Sequence, residues 1–276
     1  MQEKANSVTE WKSTDGELPM SLDEVYMRVL KDIKKPDQDH ARRVLHCLAV
    51  AIRPLHVEEL AEVCSTDVDD AKEYSILLAR RTGLVTTIQT RNSRTVELSQ
   101  SSVREFLTST RLATSSGDVA YFHINLKQSH TTLAQACLDV LLQPEIEEGA
   151  AIRKSPLLGY AAEHWVTHAQ SGGVSPCLQK AMEYLFDSDK PHFAAWLRIH
   201  DIDTEPRPDS PFEHFSLDYK PTTTPLYYAA LCGFQDLVQH LLDRYPHHLN
   251  AHGGWFVTPL VAALAQGHLR TVEFLR

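Results

Sequence analysis

Apolar residues recur every three or four positions along most of the chain, which predicts a mainly α-helical protein. The first clear stripe follows Ser21. Ser21 and Glu24 have the spacing of a capping box, in which each side chain satisfies a free backbone amide at the start of a helix. The next stripe lies between Pro36 and Pro54, and prolines commonly bound helices in this way. Two consecutive amphipathic helices are therefore expected at the beginning of the folded region.

Helical periodicity gives way to a β pattern at one place in the chain. Two shorter helices are predicted over residues 57–64 and 68–81, and Gly83 follows where a helix commonly ends. β-favouring runs then cover residues 84–88 and 95–98, with a polar tip between them. Helices followed by a β-hairpin are the arrangement of a winged helix, a variant of the helix-turn-helix.

The helical pattern returns after the predicted hairpin. Further helices are expected over residues 101–109, 130–142, 156–169, 176–186 and 193–199.

A motif recurs with an offset of 34 residues near the C-terminal end. The first copy contains Thr224, Pro225, Leu226 and Gly233. The second copy has the same residue types at Thr258, Pro259, Leu260 and Gly267. Alanines follow each leucine, and an apolar helical pattern follows each glycine. The threonine can cap a helix, the proline suits its first turn, and the glycine allows a turn into a second helix.

This motif resembles the ankyrin repeat, which implies a short stack of helical pairs. The histidine usual after the leucine is Tyr227 in the first copy and Val261 in the second. The second copy is truncated, since Arg276 falls within its second helix. Ankyrin stacks normally need three or more repeats. Either the chain is a fragment, or the preceding helices cover one side of the stack.

The predicted organisation has five parts, with a proline-rich, acidic joint before the repeats. They are a flexible N-terminus (1–17), a winged-helix domain (18–110), a helical extension (111–200), the joint (201–221) and the ankyrin repeats (222–276).

Several segments outside the repeats resemble fungal NACHT–ankyrin proteins, which are signal-transducing ATPases of the NOD-like-receptor type. The segments are Leu18–Tyr26, Arg53–Leu55 with Glu58–Ala61, Ser102–Leu107 and Pro156–Trp165. The resemblance implies a winged helix of the type called GPI inositol-deacylase, a sensing role for the repeats, and an upstream NACHT module as one partner. Neither a GxxxxGK[ST] phosphate loop nor a GxSxG nucleophile motif occurs in the sequence, so no ATPase or deacylase activity is carried over.

Charge and cysteine usage narrow the function further. The formal net charge is −9, so general binding of nucleic acid is not expected. The five cysteines include no CxxC pair, which favours a reducing compartment over a disulfide framework or zinc cluster. We expect a cytoplasmic protein without a membrane segment, cofactor or metal. His164 and His168 could share a metal on one helix, but Trp165 stands where a zinc protease needs glutamate. The preferred interpretation is helix packing plus a surface histidine.

The predicted function is non-enzymatic: a protein–protein interaction and scaffold module, serving as the regulatory and sensing segment of a NACHT–ankyrin signalling protein. Candidate partner-binding residues are His252, Trp255 and Phe256, at the tip between the two repeats. The two aromatic rings could instead pack onto the proline-rich joint. The alternative function is a DNA-binding regulator, although the helix over 68–81 that would read DNA has a mixed charge.

Overall fold

The computed structural model describes residues 21–64, 82–91, 93–115, 117–143, 155–203 and 223–276. This part of the chain is mainly helical, with one small antiparallel sheet. The bounds are α1 Leu22–Lys31, α2 Lys35–Val50, β1 Leu55–His56, α3 Val57–Val63, β2 Val85–Gln89, β3 Arg94–Leu98, α4 Ser101–Leu107, α5 Thr110–Ala113, α6 Leu126–Leu141, α7 Leu158–Gln170, α8 Gln179–Leu185, α9 His192–Ile199, α10 Pro225–Cys232, α11 Gln235–Arg244, α12 Pro259–Ala265 and α13 Leu269–Leu275.

The predicted capping box begins α1. The Ser21 hydroxyl accepts from the Glu24 amide at 3.3 Å, and the Glu24 carboxylate accepts from the Ser21 amide at 2.8 Å. Pro36 lies in the first turn of α2, where its missing N–H has no helical partner to lose. The two amphipathic helices predicted here are therefore formed.

The predicted hairpin is confirmed as β2 and β3, with Val85 opposite Leu98 and Gln89 opposite Arg94. A third strand, which the sequence analysis did not predict, extends this sheet in the order β1–β3–β2. Strand β1 is only two residues long, too short to show an alternating pattern. The helix predicted over 68–81 lies outside the described residues.

Several helix boundaries differ from the predictions. Helix α6 begins at Leu126 rather than at residue 130, because the Asn125 side chain accepts from the Gln128 amide and caps the helix there. Helix α7 begins at Leu158, so Pro156 precedes the helix instead of lying in its first turn. Pro191 is the N-cap of α9.

The core runs without a break from the winged-helix elements into the C-terminal helices. Helix α6 packs against both α2 and α7, which joins the winged helix to the helices that follow. Helix α7 carries Trp165, whose ring is fully buried and lies edge-on to Trp196 of α9, with ring centroids 5.2 Å apart. These two tryptophans form the support on which the C-terminal helices rest.

Candidate protein-interaction surface

The two copies of the 34-residue motif form two helix–turn–helix pairs. We call α10–α11 the first hairpin and α12–α13 the second hairpin. Helix α10 packs against α12. Each turn contains a glycine in the left-handed region, Gly233 at φ 71° and Gly267 at φ 74°, a conformation that glycine adopts without steric cost.

The threonine caps differ between the copies. The Thr258 hydroxyl accepts from the Val261 amide at 3.3 Å, as predicted. The prediction is wrong for Thr224, which occupies the N-cap position but whose side chain accepts no capping hydrogen bond. Its hydroxyl oxygen is buried and has no hydrogen-bond partner among the described residues.

The first hairpin is fixed to the helices that precede it. Phe234 lies against Trp165, with ring centroids 5.6 Å apart. The side-chain amide of Gln170 donates to the carbonyl of Cys232 at 2.9 Å. These contacts join α7 to the turn of the first hairpin, so the helical region covers one side of the hairpin pair.

Both tyrosines of α10 are fully buried. Each hydroxyl donates to an aspartate at the start of the predicted joint. Tyr227 donates to Asp203 at 2.7 Å, and Tyr228 donates to Asp201 at 2.8 Å. Buried phenol hydroxyls need such partners, and these acceptors lie more than twenty residues away in sequence.

Asp203 also holds the tip between the hairpins. Its carboxylate accepts from the Trp255 amide at 2.7 Å, and the Tyr227 hydroxyl accepts from the Phe256 amide at 3.1 Å. Gly254 comes so close that an added Cβ would meet the Tyr227 ring and the Asp203 carboxylate at 2.5–2.6 Å. Burial raises the pKa of Asp203, against the lowering effect of the hydrogen bonds that it accepts.

The three predicted partner-binding residues share this tip but differ in exposure. The Trp255 residue is 63% exposed and His252 is also exposed, whereas Phe256 is half-buried and packs against the core. Val257 follows at φ 68°, a conformation that β-branched residues seldom adopt. The backbone of the tip is thus anchored to Asp203, at the start of the predicted joint, and to Tyr227 of α10, while Trp255 is mostly exposed.

The second hairpin exposes apolar side chains that have buried counterparts in the first. Val261 is 44% exposed and Leu264 is 58% exposed, while the residues 34 positions earlier, Tyr227 and Ala230, are fully buried. Leu269 and Phe274 of α13 are exposed as well. In the first hairpin, the position that matches Leu269 is occupied by a polar residue, Gln235.

His164 and His168 of α7 are both buried, so the expected surface histidine is not found here. His168 belongs to a hydrogen-bond network. The His168 ring uses both nitrogens: Nε2 lies 2.8 Å from the Tyr160 hydroxyl, and Nδ1 lies 2.9 Å from Nδ1 of His130. The Ile52 amide donates to the Tyr160 oxygen at 3.2 Å, so the tyrosine proton points to His168 Nε2. His168 Nδ1–H then donates to His130.

This network keeps the histidines neutral. Burial, reinforced by the neighbouring His130 and His164, lowers the pKa of His168 to about 3. Within the described ranges, no three histidine, cysteine or carboxylate side chains lie close enough to hold a metal ion. The described helices also include none that is long and apolar enough to cross a membrane.

The DNA-binding alternative rests mainly on residues 68–81, which are not described. On the hairpin, Arg91 is exposed, and the Arg94 guanidinium donates to the Gln89 side chain at 2.7 Å. This alternative therefore stays a prediction.

Comparison with known proteins supports the winged helix. Residues 26–120 match the family model "GPI inositol-deacylase, winged helix domain". A Monascus ruber protein named "Azaphilone pigments biosynthesis cluster protein L" is 27% identical over 286 aligned residues, which cover 94% of this chain and 59% of that protein. This chain therefore spans about three fifths of the length of that relative. No solved structure gives a significant match.

The predicted winged helix of this type is thereby confirmed. These matches leave the ankyrin and NACHT parts of the sequence resemblance as predictions, together with the predicted domain boundaries.

Proposed function

We propose that this chain is a non-enzymatic protein-interaction module whose partner-binding site is the tip formed by His252, Trp255 and Phe256. The first and second hairpins would be ankyrin-type repeats, and the winged helix with α6–α9 would hold them in place. A regulatory role beside a NACHT module is part of this proposal and rests on the sequence resemblance. The name of the Monascus relative places that protein in a pigment biosynthesis cluster and names no catalytic activity.

The observation that carries the proposal is the contrast within the tip. The backbone at Trp255 is held by Asp203, and the backbone at Phe256 is held by Tyr227. The Trp255 residue is nevertheless 63% exposed. A binding site loses less conformational entropy when its backbone is already fixed. Tryptophan is also one of the residue types enriched among interface hot spots.

The chemistry of the tip favours a polypeptide partner that offers an apolar pocket beside a hydrogen-bond acceptor. The indole ring supplies apolar area, and its N–H supplies one donor. The imidazole of His252 adds a polar group on the same loop. Such a mixed aromatic and polar set is typical of the centre and rim of a protein–protein interface.

A two-stage experiment tests this proposal. A photoreactive phenylalanine analogue replaces Trp255 in one sample and Ile88, an exposed residue of the β2–β3 hairpin, in a second. A partner crosslinked from position 255 but not from 88 is identified, purified and titrated against the unmodified chain. We expect the Trp255→Ala substitution to weaken that purified complex at least about tenfold, as a hot-spot residue would.

Two results would contradict the proposal. One is a purified partner that binds the Trp255→Ala variant as tightly as the unmodified chain. The other is specific nucleotide hydrolysis by the purified chain, which would make it an enzyme. Salt-sensitive DNA binding that is lost on replacing Arg80, Arg81, Arg91 and Arg94 would instead favour the DNA-binding alternative.

A further inference from the structure

Two cysteines from different helices meet inside the winged-helix region. Cys47 lies in the last turn of α2, and Cys64 is the residue that ends α3. Their sulfur atoms are 4.0 Å apart, and both residues are buried. A disulfide needs about 2.05 Å between the sulfurs, so the two side chains need to approach by roughly 2 Å.

Arg43 fixes the relative position of these two thiols. It lies one helical turn before Cys47 on α2, and its guanidinium donates to the Cys64 carbonyl at 3.1 Å. The end of α3 is therefore already attached to α2 by a hydrogen bond. The Cys47–Cys64 contact lies beside that attachment, where the two helices are held together.

A cavity lies beside the two cysteines, and both residues form part of its lining. Its volume is about 180 Å³, and its lining includes Cys47, Cys64, Arg42, Arg43, His46 and Ser129. A water molecule occupies about 30 Å³ of liquid, so a molecule of the size of hydrogen peroxide fits easily. Glutathione disulfide, with dozens of heavy atoms, is far larger than this space.

The two thiols differ in acidity in the way that a reactive pair requires. The hydrogen bond from Cys47 lowers the pKa of Cys64. Burial acts against this shift, and the positive charge of Arg43 lowers the pKa further. The same hydrogen bond and burial raise the pKa of Cys47. Cys64 is therefore the thiol that ionises, and Cys47 keeps its proton and donates it to the thiolate sulfur.

We propose that Cys47 and Cys64 are a reversible redox pair, oxidised to a disulfide by a small peroxide that enters through this cavity. The inference is independent of the proposed partner-binding function. The disulfide would join α2 covalently to the end of α3, the point from which the chain continues into residues 65–81.

The chemistry balances with hydrogen peroxide as the oxidant. The Cys64 thiolate attacks one peroxide oxygen, the O–O bond breaks, and the leaving hydroxide takes a proton to become water. Cys64 is then a sulfenic acid. The Cys47 sulfur attacks the Cys64 sulfur, the S–O bond breaks, and the hydroxide leaves as water with the Cys47 proton. Two thiols and one peroxide thus give one disulfide and two waters, with two electrons passing to the peroxide.

The sequence makes the product easy to detect. Trypsin does not cleave between Arg53 and Pro54, so Cys47 and Cys64 fall in one peptide that ends at Lys72. The full chain is exposed to hydrogen peroxide under native conditions, the remaining thiols are alkylated in denaturant, and this peptide is weighed. We expect it to lack both alkyl groups and to be lighter by two hydrogens, with recovery of both thiols after dithiothreitol. Cleavage at Glu58 or Glu62 should then give two linked peptides.

Other cysteines supply matched controls. Cys232 is fully buried and burial raises the pKa of its thiol, so it should oxidise at least about tenfold more slowly. The Cys137→Ser variant should still form the disulfide. In Cys47→Ser, Cys64 has no resolving partner, and dimedone should trap its sulfenic acid. Circular dichroism checks that each variant is folded. The disulfide measurement on the unmodified chain does not depend on the folding of any variant.

The proposal is overturned if the exposed Cys177 oxidises while the peptide with Cys47 and Cys64 keeps both thiols. It is equally overturned if this peptide loses two hydrogens only after the chain is unfolded in urea, because the folded geometry would then contribute nothing.

Discussion

The first and second hairpins are two copies of one motif in very different surroundings. Tyr227 and Ala230 of the first are fully buried, whereas Val261 and Leu264 at the matching positions are about half exposed. The first hairpin lies between the tryptophan support of α7 and α9 on one side and α12 on the other. Local sequence therefore makes the helix–turn–helix, and neighbours decide what each copy contributes to stability.

The turns show the same difference. His268, the counterpart of Phe234, reaches back to the first hairpin, and its Nε2 lies 3.0 Å from the Leu231 carbonyl. The turn at Gly233 is covered by this ring, whereas among the described residues nothing lies within 4 Å of an added Cβ at Gly267. The turn at Gly233 is therefore packed against the second hairpin, whereas the turn at Gly267 is exposed.

The strongest test of this comparison removes the support of the first hairpin. Trp196 is fully buried, lies 5.2 Å from Trp165, and donates its indole N–H to the Ala162 carbonyl at 2.9 Å. We expect Trp196→Ala to lower the free energy of unfolding by about 3–5 kcal/mol, since it leaves a cavity and removes the hydrogen bond to Ala162. Urea denaturation followed by circular dichroism measures this loss.

Trp255→Ala is the matched control, because that side chain is mostly exposed. Its effect should stay within about 0.5 kcal/mol. If both substitutions lowered the free energy of unfolding equally, the two buried tryptophans would contribute no special stability to the first hairpin.

A second test compares the glycines of the two turns. Alanine at either Gly233 or Gly267 is strained, since both have φ above 70°. Each substitution should cost about 1 kcal/mol for that reason. At Gly233 the new Cβ would also lie 2.5 Å from the His268 ring, which would need to move and give up its contact with Leu231.

We therefore expect Gly233→Ala to cost about 2–3 kcal/mol in total and Gly267→Ala about 1 kcal/mol. Thermal unfolding of both variants beside the unmodified chain measures the two losses. If Gly267→Ala proved the costlier substitution, the proposed difference between a covered and a free turn would be wrong.

A third test uses pH to weaken α7, which contacts the turn of the first hairpin. The pKa of His168 is about 3 in the folded chain and about 6.5 when unfolded, so unfolding binds a proton below pH 6.5. The contribution of His168 to the free energy of unfolding is therefore complete above about pH 6.5, and it is lost as the pH falls from about 6.5 towards 3. Between pH 7 and 5 the expected loss from this residue is about 2 kcal/mol.

The His168→Gln variant isolates this contribution, because glutamine can still accept from Tyr160 but does not titrate. Burial also lowers the pKa values of His46, His130 and His164, so some pH dependence will remain. Unfolding titrations at several pH values should give a shallower slope for the variant. Identical slopes would assign the acid sensitivity to the other histidines.

Local patterns predicted much of the fold. The capping box at Ser21, the β2–β3 hairpin and the starts of α10 and α12 each depend on residues within a few positions of one another. The missed elements had weak local signals. Strand β1 has two residues and is held by its pairing with β3, about forty positions later.

The candidate site was harder to predict, because its contacts join distant segments. Trp255 could be named from its place between the repeats, but its anchor, Asp203, lies 52 positions earlier. Cys47 and Cys64 show the same limit. Their spacing matches no cysteine motif, and only the packing of α3 on α2 brings their sulfurs to 4.0 Å.

The smallest expected effect concerns the exposed apolar residues of the second hairpin. Leu264→Gln should change the free energy of unfolding by less than about 0.5 kcal/mol, because the side chain is 58% exposed and few contacts are lost. The same change should reduce self-association at high concentration, since exposed apolar area promotes contact between copies. Sedimentation velocity over a range of concentrations measures it, with Ile88→Gln as a control of similar exposure. A larger effect from Ile88→Gln would move the associating surface to the β2–β3 hairpin. A loss of stability well above 0.5 kcal/mol would mean that the second hairpin is packed as tightly as the first, and the contrast between the copies would fail.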